Sequence, residues 1–559
     1  MNLIGNINAI PFRRFRGGGG VSPIPPFPSI SGMIARYSAS GLTNKQMAAN
    51  PVWVDKTGNG HDLQMKNFAW KEGSGISDIY PGALVFDGVD DWAGCDNLPL
   101  LPKEKGYSII ALRNWITRYD ATQYKRPLIS NLGTNDEGAF LIEYRKDENV
   151  NDVTGSYNSF TDVYIDDNNP ITWQTSSSYN GQIIKKRTSK STNKLCICKT
   201  YFGQLSNYAN AAIWEIVILD HDATEEELTK IKDYFIKTYP WLFPDQAWTV
   251  TGKTNEDEDR ATIANITGNG NNLVLSNSGF AEGSGYGLYA ENYAGGRWVQ
   301  STDRADLTWT SYSVNITSVK VASTQLYYQS YPEQPSFTVP SYKIKVYGLK
   351  DGQTLSYKQV TSEGQQIYKI SEDGIYTLPS FLFKANGDWY GFTLDKIQET
   401  CDITIEQIPE YEGYLVTDGV DDKITSSTFE MGNDWTVIGD WELINTGKND
   451  NAGIVKFNSI VIYNYNPILI NIKNGRNNLI PDQNTVNAIC SDGRIYSKDW
   501  KESIYNEETE STSKNLLTIG YSGNNYTKIA FRNLAIYPTV LSKEDCIKAY
   551  NYLQTLKAK

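Results

Sequence analysis

The sequence has 559 residues, which is too long for one hydrophobic core and predicts roughly three to four domains of about 100–200 residues each. Its formal net charge of −12 argues against nucleic-acid binding, because phosphates require clustered lysine and arginine. The six cysteines are too scattered for a disulfide framework, and no apolar run approaches the ~18 residues of a membrane span.

The first 30 residues predict a flexible tether. A basic aromatic tip precedes four glycines and a proline-rich stretch; the tip consists of Phe12, Arg13, Arg14, Phe15 and Arg16. Such a composition cannot build a core, while glycines give rotational freedom and prolines act as a stiff spacer. One interpretation is a disordered tail. The other is an anchor, in which the rings and arginines bind a larger assembly. The segment lacks the pattern of an export signal.

The strongest signal in the sequence is an internal repeat. Residues 57–63 (TGNGHDL) recur at 267–273 (TGNGNNL), and residues 84–91 (LVFDGVDD) recur at 415–422 (LVTDGVDD). The second pair lies about 120 residues further apart than the first, so the second copy carries an insertion. We predict two equivalent domains and one inserted domain, with limits at 31–244, 245–559 and 293–410.

Short apolar runs between Gly, Asn and Asp turns predict β-strands in both copies. Each copy ends in a strand and a helix: Thr224 and Glu227 predict a capping box, and Ser542 with Asp545 is its weaker counterpart. In the insertion, alternating runs separated by Asp-Gly turns predict a small immunoglobulin-like sandwich. The predicted fold class is therefore all-β.

The ordered motifs resemble the laminin-G-like, concanavalin A-like jelly-roll family. That family combines a D-x-S-G-N-G turn, an F-D-G-x-D-D hairpin, and a closing strand before an L-S-x-E-E helix. Here Thr57 replaces the usual serine, and Thr417 replaces the aromatic residue before the second Asp-Gly. The resemblance covers most of the chain outside the tether and the insertion, and it implies two jelly-roll sandwiches. It does not identify a ligand, because the fold hosts lectins, glycosidases, adhesins and spacers.

The order of tether, jelly rolls and immunoglobulin-like lobe resembles virion fibre or decoration proteins of tailed phages, including crAss-like phages. This resemblance implies a protein that is assembled in the host cytoplasm and carried on the virion. Its N-terminus would bind other virion proteins, and its domains would face host-surface or mucus glycans. A homo-oligomer is expected, because avidity offsets weak single sites. A purely structural spacer is an alternative.

The sequence argues against catalysis. The two histidines, His61 and His221, have no serine or cysteine nucleophile signature nearby. Glycoside hydrolysis needs two facing carboxylates, and the acidic runs at 143–148 and 256–259 do not alternate along a strand. We therefore predict a protein that is not an enzyme. A glycoside hydrolase that degrades host capsule on the same fold is the alternative.

Two groups of residues are candidates for ligand contacts. Trp70, Trp92 and Trp298 are candidate platforms for a sugar ring, whereas Trp115 and Trp441 read equally well as core. Carboxylates on the two Asp-Gly hairpins are candidate ligands for Ca²⁺, which takes six to eight oxygens; they are Asp87, Asp90, Asp91, Asp418, Asp421 and Asp422. We favour the alternative that the first aspartate of each hairpin caps its own backbone. No other cofactor is predicted.

Overall fold

A computed structural model of the chain describes most residues from 25 onward. The described ranges are 25–101, 106–117, 125–133, 140–145, 171–175, 192–203, 207–280, 283–301, 303–329, 335–350, 352–384, 387–397, 400–444, 453–457, 460–463, 469–472, 476–479, 486–504, 516–522 and 525–558. The predicted anchor residues at 12–16 lie outside these ranges.

The first copy forms a sandwich of two sheets closed by a helix. Its elements are β1 (Met33–Ser38), α1 (Asn44–Ala49), β2 (Val52–Trp53), β3 (Leu63–Lys66), β4 (Gly75–Ile76), β5 (Leu84–Asp87), β6 (Trp92–Cys95), β7 (Ser108–Thr117), β8 (Lys125–Ser130), β9 (Leu141–Arg145), β10 (Ile171–Thr175), β11 (Leu195–Ile197), β12 (Asn210–Leu219) and α2 (Glu225–Thr238). One sheet has the order β10-β7-β12-β5-β4 with β1 also on β12, and the other has the order β2-β3-β6-β11-β8-β9.

The second copy repeats this topology. It begins with β13 (Gln246–Thr249), β14 (Thr262–Ile263), β15 (Leu273–Ser276) and β16 (Gly285–Tyr286), and the insertion follows. The insertion contains β17 (Trp298–Gln300), β18 (Ala305–Trp309), β19 (Ser313–Val319), β20 (Thr324–Tyr328), β21 (Phe337–Val339), β22 (Tyr342–Tyr347), β23 (Leu355–Thr361), β24 (Gly364–Ile370), β25 (Gly374–Leu378), β26 (Phe381–Phe383), β27 (Trp389–Leu394) and β28 (Ile403–Ile408).

The second copy then resumes. Its remaining elements are β29 (Leu415–Val416), β30 (Lys423–Thr425), β31 (Thr436–Leu443), β32 (Gly453–Phe457), β33 (Ile460–Tyr463), β34 (Leu469–Ile472), β35 (Arg476–Leu479), β36 (Val486–Cys490), β37 (Arg494–Ser497), β38 (Glu502–Ile504), β39 (Leu517–Ile519), β40 (Tyr521–Ser522), β41 (Asn525–Tyr526), β42 (Ile529–Tyr537) and α3 (Lys543–Leu553). The order β16-β29-β42-β31-β36 matches β4-β5-β12-β7-β10, and β14-β15-β30-β39-β32-β33 matches the other sheet. The all-β prediction of two jelly-roll sandwiches is confirmed.

The insertion is a third sandwich with its own apolar core. Its two five-stranded sheets have the orders β17-β20-β27-β23-β24 and β18-β19-β28-β22-β25. The chain leaves and re-enters the second jelly roll at adjacent points: the Gly287 amide donates to the Tyr414 carbonyl at 2.7 Å, and the Glu410 amide donates to the Leu288 carbonyl at 2.9 Å. The immunoglobulin-like class of this lobe and the domain limits stay predictions.

The two jelly rolls share one apolar core. The faces of β7 and β12 that point away from the first sandwich pack with α2, with α3 and with the corresponding outer faces of β31 and β42. Trp214 of the first copy lies edge-on to Tyr552 of α3, with ring centroids 6.2 Å apart. The Tyr537 hydroxyl donates to the Trp241 carbonyl at 3.0 Å. Because each sheet buries both of its faces here, the two sandwiches are packed against each other across this core.

The described end of the N-terminal segment packs on the first sandwich. Phe27 lies edge-on to Tyr234 of α2 at 4.8 Å, and the Arg36 guanidinium stacks over the Phe27 ring at 4.1 Å. Arg36 also donates two hydrogen bonds of 3.1 Å to the buried Glu215 carboxylate. Ile30 is buried in the shared core. Residues at the described end of the predicted tether therefore contact the first sandwich.

Candidate functional site

The Asp-Gly hairpin between β5 and β6 is closed by its own carboxylates. Oδ1 of Asp87 accepts the amides of Val89, Asp90 and Asp91 at 2.8, 3.2 and 3.2 Å, and Oδ2 of Asp91 accepts the Asp87 amide at 3.1 Å. This is a reciprocal side-chain cap of a tight turn, in which Gly88 supplies the positive φ of 76°.

The hairpin between β29 and β30 repeats this geometry. Oδ1 of Asp418 accepts the amides of Val420, Asp421 and Asp422 at 2.7, 3.3 and 3.4 Å, and Oδ2 of Asp422 accepts the Asp418 amide at 2.8 Å. The interpretation of both hairpins as capped turns therefore accounts for most of these contacts. It also explains why this motif recurs in both copies.

Each hairpin nevertheless buries a carboxyl group at its base. Asp91 and Asp422 are 0% and 2% exposed. Burial raises the pKa of each to about 6, while the Ser74 and Ser284 hydroxyls favour the charged forms. Their Oδ1 atoms accept no hydrogen bond of normal geometry from the described residues.

The fit of a Ca²⁺ ion to these hairpins is incomplete. In each copy, one oxygen from each of the three aspartates lies within 4.8 Å of the others. Three carboxylates supply only part of a shell of six to eight oxygens. In addition, Oδ1 of Asp87, the first aspartate of its hairpin, already accepts hydrogen bonds from three backbone amides. The Ca²⁺ site stays a prediction.

Trp70 sits in a turn that both copies share. Its φ is 54°, and that of Phe280 at the equivalent place is 49°. The Trp70 ring stacks on Phe68 with centroids 4.9 Å apart, and Phe280 stacks on Tyr286 at 6.0 Å. The half-buried Trp70 ring therefore closes the edge of the first core, with one face against a neighbour.

Trp92 forms a cation–π pair whose partners are exchanged in the second copy. The Lys199 Nζ lies 4.2 Å from the centre of the Trp92 ring. At the equivalent positions the second copy has Lys423 in place of the tryptophan and Tyr521 in place of the lysine, with Nζ 5.8 Å from the ring centre. The second copy therefore keeps a lysine–aromatic pair, but the lysine and the ring exchange positions. In the first copy, the Lys199 ammonium occupies the face of the Trp92 ring that was predicted to bind a sugar.

Trp298 is part of the core of the insertion, not of its surface. The residue is 5% exposed, and its indole N–H donates to Oε2 of the buried Glu291 at 3.1 Å. Tyr293, Tyr390 and Phe392 surround the ring. This corrects the prediction of a sugar platform, because a ring enclosed in this way offers no open face. Trp115 and Trp441 are also core, at 3% and 2% exposure.

We predicted no carboxylates that alternate along a strand, but β31 carries such a pair. Asp440 and Glu442 are both half-buried and alternate on that strand, pointing away from the core that holds Trp441. The Tyr414 hydroxyl lies 3.2 Å from both Asp440 carboxylate oxygens, and the Arg532 guanidinium lies 5.7 Å from the Tyr414 ring centre. The Asp-Trp-Glu alternation was readable in the sequence. Its grouping with the tyrosine at the base of the insertion was not.

The two histidines lie at the start of a helix and in a turn, where their contacts support the local structure. His221 Nδ1 lies 3.0 Å from Asp220 Oδ1, and Nε2 lies 3.1 Å from Glu227 Oε2, at the capping box of α2. The His61 carbonyl accepts the Tyr37 hydroxyl at 2.6 Å in the glycine-rich turn. Within the described ranges, neither imidazole ring forms a hydrogen bond to a serine or a cysteine.

Comparisons with known proteins add little to this geometry. No family model matches the sequence, and no curated protein matches it. The solved structures that it resembles include three proteins: Trypanosoma rangeli sialidase in complex with sialic acid (8% identity, 52% of this chain and 68% of that chain, TM-score 0.21), the tandem CBM22 domains of Paenibacillus barcinonensis Xyn10C (10% identity, 46% and 98%, TM-score 0.14), and a triple jelly-roll protein of an archaeal virus (10% identity, 44% and 58%, TM-score 0.12). Scores this low carry no argument about function.

Among the described helices, none combines the length and the apolarity that crossing a bilayer demands.

Proposed function

We propose that this protein is a non-enzymatic recognition protein of a virus particle, which displays its jelly-roll domains toward host-surface or mucus glycans. The observation that carries the proposal is the apolar core shared by the two jelly rolls. A shared core holds both domains in one orientation, so that two sheets and the inserted lobe are presented together. Rigid presentation favours repeated weak contacts, because little conformational entropy is lost when each contact forms.

The anchoring end of such a protein would lie before residue 25. Phe27 packs on α2 and Ile30 lies in the shared core, so the segment before residue 25 joins the chain at the first jelly roll. The aromatic and basic residues predicted at 12–16 suit a protein partner of the same particle, and several copies on one particle would supply avidity.

The test combines binding with particle assembly. We expect the full chain to bind whole host cells or glycan arrays, and we expect deletion of residues 1–20 to abolish incorporation into particles while this binding persists. A chain that binds no cell, mucus or glycan but still enters particles would refute the recognition function and support a structural spacer. Full occupancy of the truncated chain would place the anchor elsewhere.

A glycoside hydrolase is the second candidate, and Asp440 with Glu442 is the observation that favours it. Two carboxylates lie on one face of a strand beside Tyr414 and Arg532, and a pair of carboxylates is what glycoside hydrolysis requires. Against it, the Asp440 carboxylate is held by the Tyr414 hydroxyl at the base of the insertion, which suits a structural support. Release of reducing sugars from host capsule, lost in Asp440→Asn or Glu442→Gln, would establish the hydrolase.

A further inference from the structure

The outward face of the second sheet in the first copy carries a compact group of rings and lysines. Ala93 and Cys95 of β6 point into the core, so Trp92 and Gly94 face outward. A Cβ on Gly94 would lie 2.8 Å from Cζ3 of Trp92 and 2.6 Å from the Leu195 carbonyl oxygen. Only glycine therefore lets the tryptophan lie flat against the sheet. Phe202, from the connection between β11 and β12, meets this ring edge-on at 5.8 Å.

Lys199 is buried in this group, and no described carboxylate pairs with it. The residue is 5% exposed, and its Nζ lies 4.2 Å from the centre of the Trp92 ring and 5.5 Å from that of Tyr208. In the part of the chain that the structure describes, it forms no ion pair. Burial lowers the pKa of Lys199, since the charged form is poorly solvated. Among the described residues the Lys199 ammonium contacts the Trp92 and Tyr208 rings, and a buried ammonium of this kind is costly to keep charged unless an anion joins it.

Two further lysines lie beside the same group of rings. The Lys194 Nζ lies 4.8 Å from the centre of the Phe202 ring, and its salt bridge is long, at 3.7 Å to an Asp96 side chain that is 68% exposed. Lys66 of β3 is the cross-strand neighbour of Trp92 and is exposed. Three lysines thus converge on one sheet face of a chain whose formal net charge is −12.

The second copy shows what the fold itself requires at this place. Its equivalent positions hold Ser276, Lys423, Leu516 and Tyr521, which leaves one half-exposed lysine beside one ring. The fold therefore explains a single cation–π pair. It does not explain three lysines, or the nearly complete burial of Lys199, in the first copy alone.

We propose that the group formed by Lys66, Trp92, Lys194, Lys199 and Phe202, here called the Lys199 pocket, binds the carboxylate of an acidic sugar such as a hexuronate. The proposal rests on the proposed function and names its ligand class. The carboxylate would pair with the Lys199 ammonium in a charge-assisted hydrogen bond, which is strong where water is excluded. The sugar ring would lie toward the edges of the aromatic rings, and the two outer lysines would attract the acidic chain.

The test measures binding of tetragalacturonate to the full chain by isothermal titration calorimetry, with maltotetraose as the neutral saccharide. Lys199→Met keeps the length of the side chain and removes its charge, and Lys423→Met is the matched control in the second copy. We expect Lys199→Met to weaken tetragalacturonate binding at least about tenfold, while Lys423→Met leaves it unchanged. Binding should also weaken as salt rises. Equal melting temperatures of the variants would show that packing is intact.

The outcomes separate this inference from the proposed function. Equal affinity in wild type and Lys199→Met, or binding of maltotetraose as strong as that of tetragalacturonate, would overturn the Lys199 pocket and leave a glycan-binding protein. Acetate competing as well as the saccharide at equal concentration would overturn the sugar specificity. Binding of N-acetylneuraminate that also depends on Lys199 would support the pocket, because the recognised group is the same carboxylate. Failure to bind any glycan on cells or arrays would overturn both proposals.

Discussion

Replacing Trp214 with alanine should uncouple the two jelly rolls. Trp214 is fully buried in the shared core, and its indole N–H donates to the Pro81 carbonyl at 2.9 Å. Removing a buried tryptophan costs about 3–5 kcal/mol of unfolding free energy. For a domain of about 200 residues, each kcal/mol lowers the melting temperature by roughly 2–4 °C, so a fall of about 10 °C is expected in the first jelly roll.

Trp53→Ala is the matched control for this experiment. Trp53 is also fully buried and donates to the Ser38 carbonyl at 2.9 Å, but it lies in the core of the first sandwich alone. In scanning calorimetry, we expect one transition for both jelly rolls in the wild type and in Trp53→Ala, at a lower temperature in the variant. Trp214→Ala should instead give two transitions. Two jelly-roll transitions in the wild type, or identical traces for the two variants, would refute the shared core as a rigid connection.

Three further predictions concern charge and the N-terminal segment. Asp91→Asn and Asp422→Asn should each stabilise the protein near pH 8 by up to about 3 kcal/mol but not near pH 4. Burial raises the folded-state pKa from 3.8 to about 6, so the stability contributed by the acid form is present below about pH 4 and lost as pH rises through 6. Urea denaturation at both pH values measures this, and stabilisation of the wild type alone by added Ca²⁺ would instead indicate a metal site. Phe27→Ala should lower the melting temperature by a few degrees, whereas deletion of residues 1–20 should not; equal effects would show that residue 27 does not belong to the first sandwich. His221→Gln should destabilise the protein more near pH 5.5 than near pH 8.5, a difference that chemical denaturation would detect. Although burial opposes it, the hydrogen bonds that the imidazolium donates to the Asp220 and Glu227 carboxylates raise the His221 pKa above 6.5, so the stability is present at low pH and lost as pH rises through the folded-state pKa.

Much of the architecture was predictable because its causes are local. The repeated glycine-rich turns, the Asp-Gly hairpins and the helix caps act between residues a few positions apart, and the structure places the corresponding strands in the same sheet order in both copies. The capping role favoured for Asp87 and Asp418 agrees with the observed amide contacts, since an aspartate at such a turn meets its own backbone wherever the hairpin lies.

The fates of the aromatic residues were not predictable in the same way. Trp92 and Trp298 are each the first residue of a strand and follow a charged residue. Nevertheless, the Trp92 ring receives a buried lysine from a later connection, and the Trp298 ring is enclosed in the core of the insertion. A tryptophan suits a core, a cation–π pair or a sugar platform equally well. Which of these it forms depends on groups that are distant in the sequence.

The sequence by itself determined that the chain folds into two copies of one β-sandwich, with an insertion in the second copy. Strand alternation and turn residues are properties of neighbouring positions, and the repeat spacing can be read directly from the sequence. Only the tertiary structure decided that the jelly rolls share a core, that Lys199 is buried beside Trp92, and that Asp440 and Glu442 lie at the base of the insertion. These features depend on which strand faces are covered, and that is set by contacts between residues as far apart as Trp241 and Tyr537.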